Sequence, residues 1–145
     1  MLKAYICSPY RARTEAEFDR NIDYAQEITR RALIAGVAPI TPHLYMTQCL
    51  SDKKREERAV GIAAGMQLLK GCDFVIAGVK YGISEGMRRE IALADASGID
   101  VVNADKLAHY LRHRKREYAT RWSAEDYARE CVKELKEFFA EIQRE

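Results

Sequence analysis

No two of the four cysteines (Cys7, Cys49, Cys72 and Cys131) stand at CxxC spacing, so the sequence offers no structural zinc pattern. Without pairs to bridge, they read as free thiols in a reducing cytoplasm, with Cys7 and Cys72 as small buried hydrophobes. No apolar run is long enough to span a membrane. The opening Met1-Leu2-Lys3-Ala4-Tyr5-Ile6 is broken by Ser8-Pro9 and does not make a signal peptide. Net charge is small, +2 over 145 residues, which argues against a general nucleic-acid binder. The basic runs Lys53 to Arg58 and Arg112 to Arg116 read as solvated faces. There is no internal repeat, low-complexity segment or linker. A hydrophobic share of 48% beside a charged share of 32% leaves an ordinary globular chain of single-domain size.

What is present alternates. Leu2 to Cys7 reads as a strand, and Ser8 to Arg13 as a strand-to-helix loop that Pro9 opens. Thr14-Glu15-Ala16-Glu17 fits a capping box. Phe18, Ile22, Ala25, Thr29, Ala32 and Leu33 then give a helix one inward face, and Gly36 stops it. Val37 to Ile40 is a second short strand. Thr41 to Asp52 reads as a loop with at most a helical turn. A helix follows from Asp52 or Arg55 to Leu69, with Val60, Ala63, Ala64, Gln67 and Leu68 inward, Gly61 and Gly65 allowing close packing, and Gly71 at its end. Asp73 opens a buried strand, Phe74 to Val79. The next helix runs from Ser84 to Ser97, with Met87, Ile91 and Ala94 inward and Asp95 towards solvent. Gly98 stops it, and Ile99 to Val102 is a fourth strand.

This rhythm predicts an α/β fold, a flavodoxin-like or Rossmann-like doubly wound parallel sheet of four or five strands, with a C-terminal helical extension. Residues 1–105 form the α/β domain. Residues 106–145 form the extension, packed on the same domain or on a partner subunit. There, Tyr127, Cys131, Leu135, Phe138 and Ile142 make an apolar stripe behind the Ser123-Ala124-Glu125-Asp126 cap. His109 and His113 share metal-ligand spacing, but no third ligand accompanies them and no metal site is expected.

Ligands of doubly wound sheets bind beyond the carboxyl ends of the strands. The segments expected there are Cys7 to Arg13, Thr41 to Asp52 and Val79 to Glu90. Ser84 is a helix N-cap whose neighbouring free amides suit an anion. Gly82 and Gly86 let backbone and ligand approach closely. Ser8 and Arg11 suit a phosphate or ribose. His43 either orders its loop or contacts a base or sugar. Tyr5 either packs in the core or reaches the pocket floor. Glu90 lies six residues beyond Ser84, about 9 Å along the helix axis. Bracketed by Met87, Ile91 and Ala94, it is a candidate nucleophile for displacement at a sugar C1′.

Tyr5-Ile6-Cys7-Ser8-Pro9-Tyr10-Arg11, Asn21 with Ala25, Pro39-Ile40-Thr41-Pro42-His43-Leu44, Gly71-Cys72-Asp73 and Ser84-Glu85-Gly86-Met87-Arg88-Arg89-Glu90-Ile91-Ala92-Leu93-Ala94 together resemble the nucleoside 2-deoxyribosyltransferase-like superfamily. That superfamily includes deoxynucleoside monophosphate N-glycosidases. The resemblance covers residues 2 to 103. It implies a flavodoxin-like fold assembled as a homodimer or higher homo-oligomer, acting on a nucleoside or nucleotide without cofactor, metal or membrane. It implies Glu90 and Tyr5 as catalytic residues, with Ser84 on a 5′-phosphate. The substrate-binding set is then Ser8, Tyr10, Arg11, His43, Gly82, Ser84, Gly86 and Met87. Two departures stand out. The superfamily's aspartate in the helix before the third strand has no acid to match it between Ala64 and Gln67, and its glycine-rich first loop is Ser8-Pro9-Tyr10-Arg11 here. Asp52, Glu85 and His43 remain alternatives for protonating a leaving base, and a non-catalytic nucleotide-binding module is the alternative function.

Overall fold

The computed structural model describes residues 1–118 and 132–133. The chain divides into two compact units, Met1–Ala108 and His109–Glu145. The first unit holds strand β1 (Leu2–Cys7), helix α1 (Glu15–Ile34), β2 (Val37–Ile40), α2 (Pro42–Cys49), α3 (Arg55–Lys70), β3 (Phe74–Ala77), α4 (Glu85–Ala96) and β4 (Asp100–Asn103). A 3-10 turn, Ala104–Lys106, leads into α5 (Leu107–Tyr118). In the second unit the His109 and His113 rings lie 4.4 Å apart, and the Arg114 guanidinium lies over Tyr110. The expected Ser123 cap and the stripe from Tyr127 to Ile142 lie outside the described residues. No described helix is long and apolar enough to cross a membrane.

The sheet has four parallel strands in the order β2-β1-β3-β4. It is a flavodoxin-like doubly wound sheet, whose strand order reverses at β1 and β3. Both faces are covered, so β3, Phe-Val-Ile-Ala, is wholly buried, and β1 is buried from Ala4 to Cys7. Tyr5, Cys7 and Val75 share one face with Leu69 and Cys72 and with Met87 and Ala94 of α4. By alternation, Ala4, Ile6, Phe74 and Ile76 point to the other. Phe74, Ile6, Ile28, Leu69 and Ile76 are fully buried, each worth about 1.5–3 kcal/mol of transfer free energy.

Three local expectations are corrected. The buried face of α1 is Asn21, Tyr24, Ala25, Ile28 and Ala32, whereas Phe18 and Leu33 are exposed. The helix is rotated because buried Asn21 holds the preceding loop, donating to the carbonyls of Tyr10 and Arg11. The segment read as a loop after Thr41 is helix α2, started by Pro42, whose fixed φ suits a first helical turn. The buried residues of α3 are Gly65 and Leu69, and Val60 is exposed. Gly65 lets the helix lie close against Tyr5 of β1, and Val60 and Ile62 turn outward. The last two strands shift by a residue or two at their ends, to Phe74–Ala77 and Asp100–Asn103.

Candidate active site

Parallel pairing brings the site together. Tyr5 is in register with Ile40, and Cys7 with Ala77. The chain just past β1 therefore meets the start of α2 on one side and the chain past β3 on the other. Ser8 Oγ lies 3.0 Å from His43 Nε2 as a direct result. The β3–α4 turn reverses through Gly82, whose φ of +90° disfavours any residue with a Cβ. Ser84 then caps α4: its hydroxyl accepts from the Met87 N–H at 3.3 Å, and the Met87 sulfur accepts from the Ser84 N–H.

A cavity of about 270 Å³ opens at this reversal in strand order. Tyr5, Ser8, Tyr10, Arg11, His43, Ser84, Gly86, Met87 and Glu90 all line it. Gly82 does not. It is exposed, with nothing within 4 Å of the point a Cβ would occupy, and it serves the turn rather than the cavity. Met46 and Thr47 of α2 and Leu50 just past it also line the cavity, within the segment Thr41 to Asp52 expected there. Sequence reasoning missed Gly61, Ile62 and Met66 of α3, because the segment holding them was not among those expected at the site. Buried Asn21, in phase with Ala25, Ile28 and Ala32, was a readable signal for the residue that holds the Tyr10–Arg11 backbone.

The Tyr5 hydroxyl donates to Glu90 Oε1 at 2.6 Å. Burial pushes the Glu90 carboxyl above the ordinary carboxylate range, and the Tyr5 and Cys7 donors oppose that shift by favouring the charged form. Burial, and then the charge of Glu90, push the Tyr5 phenol upward, so it remains a donor. The Cys7 thiol is held protonated for the same two reasons, and its sulfur lies 3.9 Å from the Met87 carbonyl. Gly65 lies beside the pair: a Cβ there would sit 3.1 Å from the Tyr5 hydroxyl oxygen. On the opposite wall, burial lowers the His43 pKa to about 4, so its imidazole is neutral at neutral pH. The Tyr10 ring lies 5.9 Å from it.

The other acids are already engaged. Asp52 accepts from Arg11 at 3.0 and 3.1 Å and lies 3.4 Å from Arg58. Glu85 pairs with Arg89 one turn along α4. Glu57 accepts from Lys54 and from the Ser51 N–H. Among the described residues no group of three or more His, Cys, Asp or Glu side chains could hold a metal ion.

A family model, the domain of unknown function DUF7768, matches residues 2–104. The chain belongs to this family. The matched span holds all four strands and every residue that lines the cavity. No curated protein matches it. Among solved structures it is similar to a 2-deoxyribosyltransferase from the psychrotolerant bacterium Bacillus psychrosaccharolyticus, with 18% identity, 70% of each chain covered and a TM-score of 0.52. At that identity the similarity shows a shared fold.

Proposed function

We propose that this cavity cleaves or transfers at the N-glycosidic bond of a nucleoside or (deoxy)nucleoside monophosphate, with Glu90 as nucleophile. The reading also assigns the DUF7768 family to the nucleoside 2-deoxyribosyltransferase-like superfamily. The observation that carries it is the 2.6 Å bond from Tyr5 to Glu90 in a cavity at the switch point of the sheet. The name of the solved relative, a 2-deoxyribosyltransferase, supports the same class of reaction.

In the first step a Glu90 oxygen bonds to C1′ while the C1′–N bond breaks through an oxocarbenium-like transition state. The base leaves with that electron pair and takes up a proton from solvent. In the second step water, or a second base, attacks C1′. The electron pair of the ester returns to Glu90, and the proton of the attacking group passes to solvent. Tyr5 fixes the carboxylate rotamer and favours its charged, reactive form. Ser84 and the Gly86 backbone at the start of α4 receive a 5′-phosphate. Neutral His43 and Ser8 hydrogen-bond the base edge and orient it for departure. A homodimer or higher homo-oligomer is the expected assembly, measurable by light scattering.

The test is release of free base from a panel of nucleosides and nucleoside monophosphates, followed by chromatography. A second reading, a nucleotide-binding module without turnover, is favoured by one observation. The α3 wall meets the Tyr5–Glu90 pair with Gly65, and its lining acid, Glu57, is held by Lys54 and Ser51. Tight nucleotide binding with no base released would select that reading.

A further inference from the structure

Outside the cavity lies an open groove that shares Tyr10, Arg11, Asp52, Arg58, Glu85 and Arg89 with it. Its wall carries five cations, Arg11, Lys53, Arg55, Arg58 and Arg89, against two carboxylates, Asp52 and Glu85. Asp52 alone serves both Arg11 and Arg58, and Glu85 serves Arg89. Among the described residues neither Lys53 nor Arg55 is paired with a carboxylate. The groove therefore has excess positive charge turned to solvent.

A second observation points the same way. Arg55 opens α3, and Lys53 and Lys54 precede it. Lys54 stands at the N-cap and supplies no side-chain cap. Cations at a helix N-terminus oppose the helix dipole, and an anion there relieves the conflict. Glu56 and Glu57 stand in the same turn, but Glu57 is bound to Lys54 and Ser51. Guanidinium groups at a water-filled rim suit phosphate oxygens, which they grip in pairs.

We propose that this groove binds a phosphate chain extending from the inner cavity, so that the substrate class is a nucleoside di- or triphosphate. The proposal rests on the glycosidic reading for the nucleoside end. The inner end of the chain lies by Ser84 and Arg89, and the outer phosphates reach Arg58, Lys53 and Arg55. Binding of the outer phosphates weakens with salt, as multiple ionic contacts do.

The test is calorimetry on the full chain at fixed ionic strength, with inorganic orthophosphate and tripolyphosphate as probes. Tripolyphosphate should bind at least about tenfold more tightly than orthophosphate. A Lys53→Glu/Arg55→Glu variant should lose at least about tenfold of that affinity, with no fall in Tm, because acids favour a helix N-terminus. Equal affinity for the two probes would overturn the proposal, as would an unchanged variant. Tighter binding of a short single-stranded DNA than of tripolyphosphate would replace it with a nucleic-acid surface. Neither probe turns over, so these results are independent of whether Glu90 is a nucleophile. Failure of the glycosidic reading would appear separately, as base release that survives Glu90→Gln.

Discussion

Glu90 carries two opposed demands. The proposed nucleophilic role needs it charged, and its burial penalises the charge. Its folded pKa lies above the ordinary value of 4.5, so activity should fall as pH drops through a midpoint above that value. Tyr5→Phe removes a donor that favours the carboxylate. The acid limb of kcat/KM should then move to higher pH, and activity at neutral pH should drop roughly 10- to 100-fold, the 1.5–3 kcal/mol of a hydrogen bond to a charged group. An unmoved limb would remove Tyr5 from that role. The same burial sets the sign for stability. A raised folded pKa means that stability is present below the unfolded pKa and is lost as pH rises through the folded one. His43 has the opposite sign. Its pKa falls from 6.5 to about 4, so its contribution is present above 6.5 and is lost as pH falls towards 4. His43→Gln should flatten the acid limb of a Tm-versus-pH curve, by about 2 kcal/mol or less across that window. Much of this scale was legible in sequence. The glycine-bearing strand-to-helix turn marked the place where Glu90 lines the cavity. The direction of Tyr5 was not legible, because alternation assigns faces of a strand without saying which face holds the cavity.

At the scale of elements, two contacts decide the shape of the site. Asn21 on α1 donates to Tyr10 and Arg11 and so holds the β1–α1 loop over the cavity. Asn21→Leu leaves those carbonyls unpaired and should cost about 1–3 kcal/mol, read as a lower Tm, with KM rising more than kcat falls. Gly65 on α3 gives the Tyr5 hydroxyl its space. Gly65→Ala sets a methyl 3.1 Å from that oxygen and should weaken the Tyr5–Glu90 bond. The measurable result is a kcat loss of at least about tenfold at nearly constant Tm. Except for helix α2, the order of elements in the sheet domain was readable from the alternation of apolar runs and capping signals, and periodicity also gives the α4 face of Met87 and Ala94 that the fold buries. The faces of α1 and α3 were readable only in part: Ala25 and Ala32 are buried as expected, whereas Phe18, Leu33 and Val60 are exposed. In each a polar or glycine residue, Asn21 or Gly65, takes the inward position that periodicity reserves for a large apolar one. Tertiary contact overrides the pattern there. The Ser8–His43 contact needed strand register, which no local window contains.

At the scale of the molecule, the sheet, its core and the cavity all belong to Met1–Ala108. We propose that residues 1–105 are the catalytic domain and 106–145 an extension. A chain ending at Ala108 should then unfold cooperatively, by circular dichroism, and keep the Glu90-dependent activity. The central claim is narrower than that and has a direct measurement. The wild-type chain and Glu90→Gln are incubated with the same panel of nucleosides and nucleoside mono-, di- and triphosphates, and free base is quantified by chromatography. The account predicts base release by the wild type and a loss of at least about 1000-fold in the variant, the scale expected when a covalent nucleophile is removed. Base release that persists undiminished in Glu90→Gln would contradict it.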